Sequence, residues 1–176
     1  MSESKKIFTE CFADTQLLYS LGFEKNRIEH SLSKPKIADK LKKYLNRGIY
    51  LDSLAVIDED PDPEKTSHPF FKNFKEMYID KQLNIKIINY KDFWILVICP
   101  YLEEWLIKTS KRNKIDIKTF NLSDKPKELH QITASMTIPK SFVDFLSKLI
   151  KTKDLIKITK ILSNPSDYIR NASQPS

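Results

Sequence analysis

The chain has 176 residues, with 30 Lys and Arg against 23 Asp and Glu, a formal net charge of +7 and 40% hydrophobic residues. That is long and apolar enough for one packed core and too apolar for a disordered chain. Its opening, MSESKK, lacks an apolar stretch, and no later apolar run approaches the ~20 residues of a membrane span, so a cytoplasmic protein without a membrane partner is expected. The two cysteines, Cys11 and Cys99, lie in apolar runs and argue against a disulfide framework, while two glycines, Gly22 and Gly48, are too few for a glycine-rich phosphate loop.

Residues 5–10, KKIFTE, are predicted to form a short strand that delivers Glu10 at its C-terminal end. The segment ADTQLLYSLGF then predicts a helix capped by Asp14 or Thr15, buried through Leu17, Leu18 and Leu21, and closed by Gly22. Residues 26–31 predict a second strand and 35–46 an amphipathic helix with Ile37, Leu41, Tyr44 and Leu45 inward. Residues 53–58, SLAVID, are a short apolar run ending in acidic residues, as a buried parallel strand would be. The order is βαβαβ.

After the proline-rich stretch 61–69, apolar residues at 70, 71, 74, 77 and 78 predict a further helix in FFKNFKEMYIDKQ. Residues 84–90 and 93–99 predict two strands, the second interior, and Pro100 leads into the helix YLEEWLIKTSKR. Residues 126–133, 139–151 and 153–163 predict three short helices, with the tail NASQPS loose. Phe142, Phe145, Leu146 and Leu149 form the buried stripe of the second, and Leu155, Ile158, Ile161 and Leu162 that of the third. The expected architecture is a parallel-sheet α/β core over residues 1–120 with a C-terminal helical extension, 121–176, packed on it as one domain.

Charge is unevenly distributed. Lys and Arg crowd residues 34–47, 108–118 and 148–160, whereas residues 58–64 read DEDPDPE. A basic excess favours polyanions such as nucleic acid. Glu10 and Asp58 both end predicted strands, and in an open parallel sheet the C-terminal strand ends share one edge. Asp60, two residues beyond Asp58, would face the same side on extended backbone. Carboxylates held that close repel one another, and a hard cation such as Mg²⁺ relieves the repulsion. The alternative is a solvated acidic loop with Glu10 as an ordinary strand-end residue.

The segments IFTECFADTQLLYSLGF and LAVIDEDPD resemble the opening strand with its glutamate and the DxD strand of the TOPRIM family, over roughly residues 5–100. The resemblance implies a TOPRIM-like, Rossmann-like fold and Mg²⁺-dependent nuclease chemistry on DNA or RNA, nearest in flavour to the overcoming-lysogenization-defect nucleases. It assigns Glu10 as general acid or base and Asp58 and Asp60 as metal ligands. The runner-up reading keeps the TOPRIM-like fold without catalysis: a binding or regulatory subunit of a larger defence or repair complex, with an ATPase as partner. Cys11 stands where the family commonly has glycine, and no glycine follows the second strand.

Other candidates follow from position. His30 and Lys34, at a strand end and a helix start, can contact phosphate as positive groups. Glu103 and Glu104 open a helix, where carboxylates complement the N-terminal dipole, and they are alternatively additional metal ligands. Trp94 and Trp105 fit a core. His68 and His130 have no Cys or His neighbour at zinc-ligand spacing.

Overall fold

A computed structural model describes residues 5–48, 53–59 and 68–172. Six strands form one mixed sheet in the order β2-β1-β3-β6-β5-β4: β1 (Ile7–Thr9), β2 (Ile28–His30), β3 (Leu54–Asp58), β4 (Lys75–Asp80), β5 (Ile85–Tyr90) and β6 (Phe93–Ile98). The four strands β2, β1, β3 and β6 run parallel, and β6, β5 and β4 continue as an antiparallel meander. The fold is thus α/β as expected, with a mostly parallel sheet that carries an antiparallel meander at one edge.

Alternation along the strands divides the core into two faces. Ile7, Leu54, Val56, Ile85, Ile87, Leu96 and Ile98 join one cluster, which α1 (Phe12–Ser20), α3 (Leu102–Arg112), α4 (Pro126–Thr133), α5 (Lys140–Leu149), α6 (Lys153–Ser163) and α7 (Pro165–Ala172) cover. Phe8, Ala55, Ile57, Ile95 and Val97 face the opposite way, against Ile37, Ala38 and Leu41 of α2 (Lys34–Asn46) and Phe70. The stripes predicted at 142–149 and 155–162 are the ones that bury. They pack in the same cluster as the strands, so the helices beyond residue 121 lie on the sheet.

Short-range chemistry explains most element ends. Gly22, at φ +90°, lets α1 end with the Phe23 N–H donating to the Leu18 carbonyl at 3.1 Å, a Schellman closure. At its other end α1 differs from expectation, because Cys11 is the N-cap residue and Asp14 works from the third helical position. The Asp14 carboxylate accepts from the Cys11 N–H at 3.1 Å while the Cys11 Sγ accepts from the Asp14 N–H at 3.4 Å, a capping box with a thiol in place of the usual hydroxyl.

The segment after residue 69 also departs from its predicted helix. Pro69–Asn73 is a short 3-10 turn, and Lys75–Asp80 is the edge strand β4. The helical spacing of its apolar residues is real but has another use. Phe70 packs edge-on against Phe74 and Tyr90, with ring centroids 5.7 and 6.0 Å away, and the following residues form a strand paired with β5, with a register shift between Glu76 and Tyr78. Tertiary pairing overrides a short-range pattern here. The helix α7 was also unforeseen; it takes in Asn171 and Ala172, the first residues of the segment expected to be loose. None of the helices described is long and apolar enough to cross a membrane.

Candidate functional site

The strand order reverses between β1 and β3. From β1 the chain passes through α1 on one face to β2, then returns through α2 on the other face to β3. Among the described residues no crossover helix runs between the C-terminal ends of β1 and β3, and the crevice at such a switch point is the usual place for a ligand in an open α/β sheet. Glu10 follows β1 directly and Asp58 ends β3. They meet there, with the Asp58 N–H donating to Glu10 Oε1 at 2.8 Å.

Two further carboxylates join them. Asp14 is buried, its Oδ2 accepting from the Cys11 N–H and thiol, each at 3.1 Å, and its Oδ1 has no hydrogen-bond partner. Glu103, also buried, sits one residue into α3, beside Leu102, whose N–H donates to Asp58 Oδ1 at 2.9 Å. Asp58 thus satisfies one of the orphan amides at the start of α3. Chain order explains the convergence, since β3 pairs with β6 in parallel and β6 leads straight into α3.

The electrostatic consequence is strong. Burial, with Asp14, Glu10 and Glu103 adding repulsion, pushes the Asp58 carboxyl up to about 9. Burial, opposed by the Cys11 thiol and reinforced by Glu10 and Glu103, brings Asp14 to about 7. Burial and the neighbouring Asp14 raise the Cys11 thiol well above its ordinary range, so it remains a capping donor and no nucleophile.

The remaining sequence candidates fall around this centre in different ways. Asp60 lies outside the described residues. Glu59 continues the β3–β6 ladder, its N–H donating to the Ile98 carbonyl at 2.7 Å, and its carboxylate pairs with Lys86. Glu104 pairs with Lys108 at 2.6 Å, one helical turn on. Glu103 Oε1 accepts from the Thr133 hydroxyl at 2.9 Å and stands 2.9 Å from His130 Nδ1.

Lys34 is buried at the start of α2, where its charge helps to lower Glu59. His30 lies against Phe12 with ring centroids 4.0 Å apart. Burial and then Lys40 lower its pKa against the Glu10 carbonyl that accepts from the ring, which disfavours the charged imidazolium a phosphate contact would use. After β2, Leu32 adopts φ +70° with its side chain exposed. The backbone there takes the left-handed form that glycine accommodates without strain.

Asp14 is the functional candidate that sequence reasoning placed only as a helix cap. The available signal was the spacing C-x-x-D directly after a strand-end glutamate, which turns the aspartate back toward the strand end. Among the described residues no three His, Cys, Asp or Glu side chains are arranged to hold a metal ion. Comparison with protein-family models, curated proteins and solved structures returns no match.

Proposed function

We propose that this protein is a Mg²⁺-dependent enzyme of phosphodiester chemistry, a small TOPRIM-like nuclease acting on DNA or RNA. The observation that carries the reading is the gathering of Glu10, Asp14, Asp58 and Glu103 around one sheet-edge crevice, with Asp14 Oδ1 buried and unpaired. Oxygen-only donors under mutual repulsion suit a hard divalent cation, which also screens them from a phosphate. Asp14, Asp58 and Asp60 would hold the metal, which supplies charge neutralisation at the phosphoryl oxygens.

The protein's own residues do the rest. Glu10, oriented by the Asp58 N–H, is placed to take or return a proton at the reacting oxygen. Lys34, at the start of α2, stands at the same edge, and the exposed lysines of α2 lie where they can follow a phosphate backbone. The Leu102 N–H keeps Asp58 from rotating out of the crevice.

The decisive experiment is Mg²⁺-dependent cleavage of single- and double-stranded DNA and RNA by the wild type and by Asp58→Asn combined with Asp60→Asn. The double variant is expected to lose activity by several orders of magnitude while staying folded, and undiminished cleavage would rule the site out. A second reading has its own observation: Glu10 and Asp58 each spend an oxygen on a backbone amide, as purely structural carboxylates do. A folded wild type with no response to Mg²⁺ by titration calorimetry would favour that reading, a TOPRIM-like binding or regulatory subunit.

A further inference from the structure

At the start of α3 lies a pocket of about 460 Å³ lined by Tyr101, Glu103, Pro126, Lys127, His130 and Gln131. Its place is set by the residues already described. Tyr101 and Glu103 flank Leu102, whose amide holds Asp58, so the pocket begins one residue from the anchor of the candidate centre.

The chemistry of the wall is specific. His130 is an exposed ring, yet buried Glu103 is committed to it, with Oε1 2.9 Å from Nδ1 and the Thr133 hydroxyl fixed on the same oxygen at 2.9 Å. Three elements of the contact, the carboxylate on α3 and the ring and hydroxyl on α4, hold one imidazole in one orientation. The buried carboxylate thereby fixes an exposed imidazole at the pocket wall as it ties α3 to α4. Tyr101 brings a second aromatic ring and Pro126 an apolar floor, while Gln131 offers both a donor and an acceptor and exposed Lys127 a positive rim.

We infer that this pocket is a nucleobase subsite, which takes one unstacked base of a single-stranded nucleic acid against Tyr101 and His130 while the adjoining phosphate lies toward the acidic crevice. The inference rests on the phosphodiester reading of that crevice. Every base has a π-face, so a site built from aromatic rings binds without strong sequence preference, and the base edge is left to Gln131 and to His130 Nε2. Lys127 complements the backbone charge. Glu103 is the positioning residue, acting through His130 and not on the base.

The test separates base from backbone. Fluorescence anisotropy measures binding of labelled oligothymidylate, and of an abasic strand of equal length, in Ca²⁺ buffer so that neither strand is consumed. Tyr101→Ala and His130→Ala are each expected to weaken oligothymidylate binding by about tenfold, the scale of one lost stack, and to leave the abasic strand unchanged. Tyr101→Phe keeps the ring and should bind like the wild type. Glu103→Gln should reduce the preference for oligothymidylate over the abasic strand without abolishing it.

Equal losses on both strands, no loss on either, or a wild type that binds the two strands alike would overturn the subsite. Failure here and failure of the activity differ visibly. Cleavage with base preference unmoved by Tyr101→Ala and His130→Ala removes the pocket and leaves the nuclease. Base-dependent binding without cleavage under any divalent cation removes the nuclease and leaves the pocket.

Discussion

Asp58→Asn should stabilise the metal-free protein, an unusual outcome for a substitution at a strand end. In the folded chain burial and three neighbouring carboxylates push Asp58 up to about 9, against 3.8 as the ordinary value. The folded state therefore binds the proton more tightly than the unfolded state does, which favours folding below pH 4 and is progressively lost as pH rises toward 9. At pH 7.5 the proton that folding must retain represents roughly 5 kcal/mol at 1.4 kcal/mol per pH unit, as a ceiling. Solvent at the sheet edge and side-chain relaxation reduce this, leaving an expected gain of about 2 kcal/mol for the neutral amide.

Asparagine keeps the acceptor that the Leu102 N–H uses, so the cap of α3 survives. Urea unfolding in EDTA from pH 5 to 9 is the assay. The two proteins should converge near pH 4 to 5 and diverge as pH rises, and melting at neutral pH should move up by about 5 °C. Added Mg²⁺ should then stabilise the wild type, by about 1.4 kcal/mol at tenfold the dissociation constant, and leave the variant unmoved. A variant less stable than the wild type by the same amount at every pH would refute the reasoning, because it would make Asp58 a structural acceptor and nothing more.

Leu32→Gly should stabilise the fold by about 0.5–1 kcal/mol in denaturant melts, since the left-handed backbone at φ +70° strains leucine and the exposed side chain buries little; a loss of stability would show that the side chain packs in a way its exposure hides. Asp80→Asn should destabilise by about 1 kcal/mol at neutral pH. Burial alone would raise Asp80, but Lys157 at 2.6 Å and the Leu83 N–H outweigh it and hold the carboxyl low, so its contribution is present above pH 4 and fades as pH falls through the depressed value. The gap between variant and wild type should accordingly close as pH falls through that depressed value, and a gap that persists in acid would assign the effect to packing.

Much of this architecture was legible in the chain because it depends on local rules. Periodicity located α2, α5 and α6, with every expected inward residue of α5 and α6 buried but only Ile37 and Leu41 of those in α2, and Gly22 marked the end of α1 through its left-handed φ. The apolar runs at 53–58 and 93–99 are the central strands β3 and β6. Chain order also sufficed to bring Glu10 and Asp58 to one edge, because β1 and β3 are neighbouring parallel strands once α1 and α2 cross on opposite faces.

What only the tertiary structure decided depends on residues far apart in sequence. The strand β4 reads as a helix until β5 supplies its hydrogen-bonding partner, and the Phe70 to Phe74 aromatic group explains the misleading spacing. Asp14 joins the acidic centre because a cysteine serves as N-cap and turns the carboxylate inward. Glu103 lies beside Asp58 because β6, forty residues beyond β3 in the chain, is its lateral neighbour and launches α3 at the same edge. His130 meets Glu103 across 27 residues. Local propensity constrains each turn of backbone by its own sterics and hydrogen bonds, whereas the field at a buried carboxylate is a sum over whatever the fold brings near, and no window of sequence contains that sum.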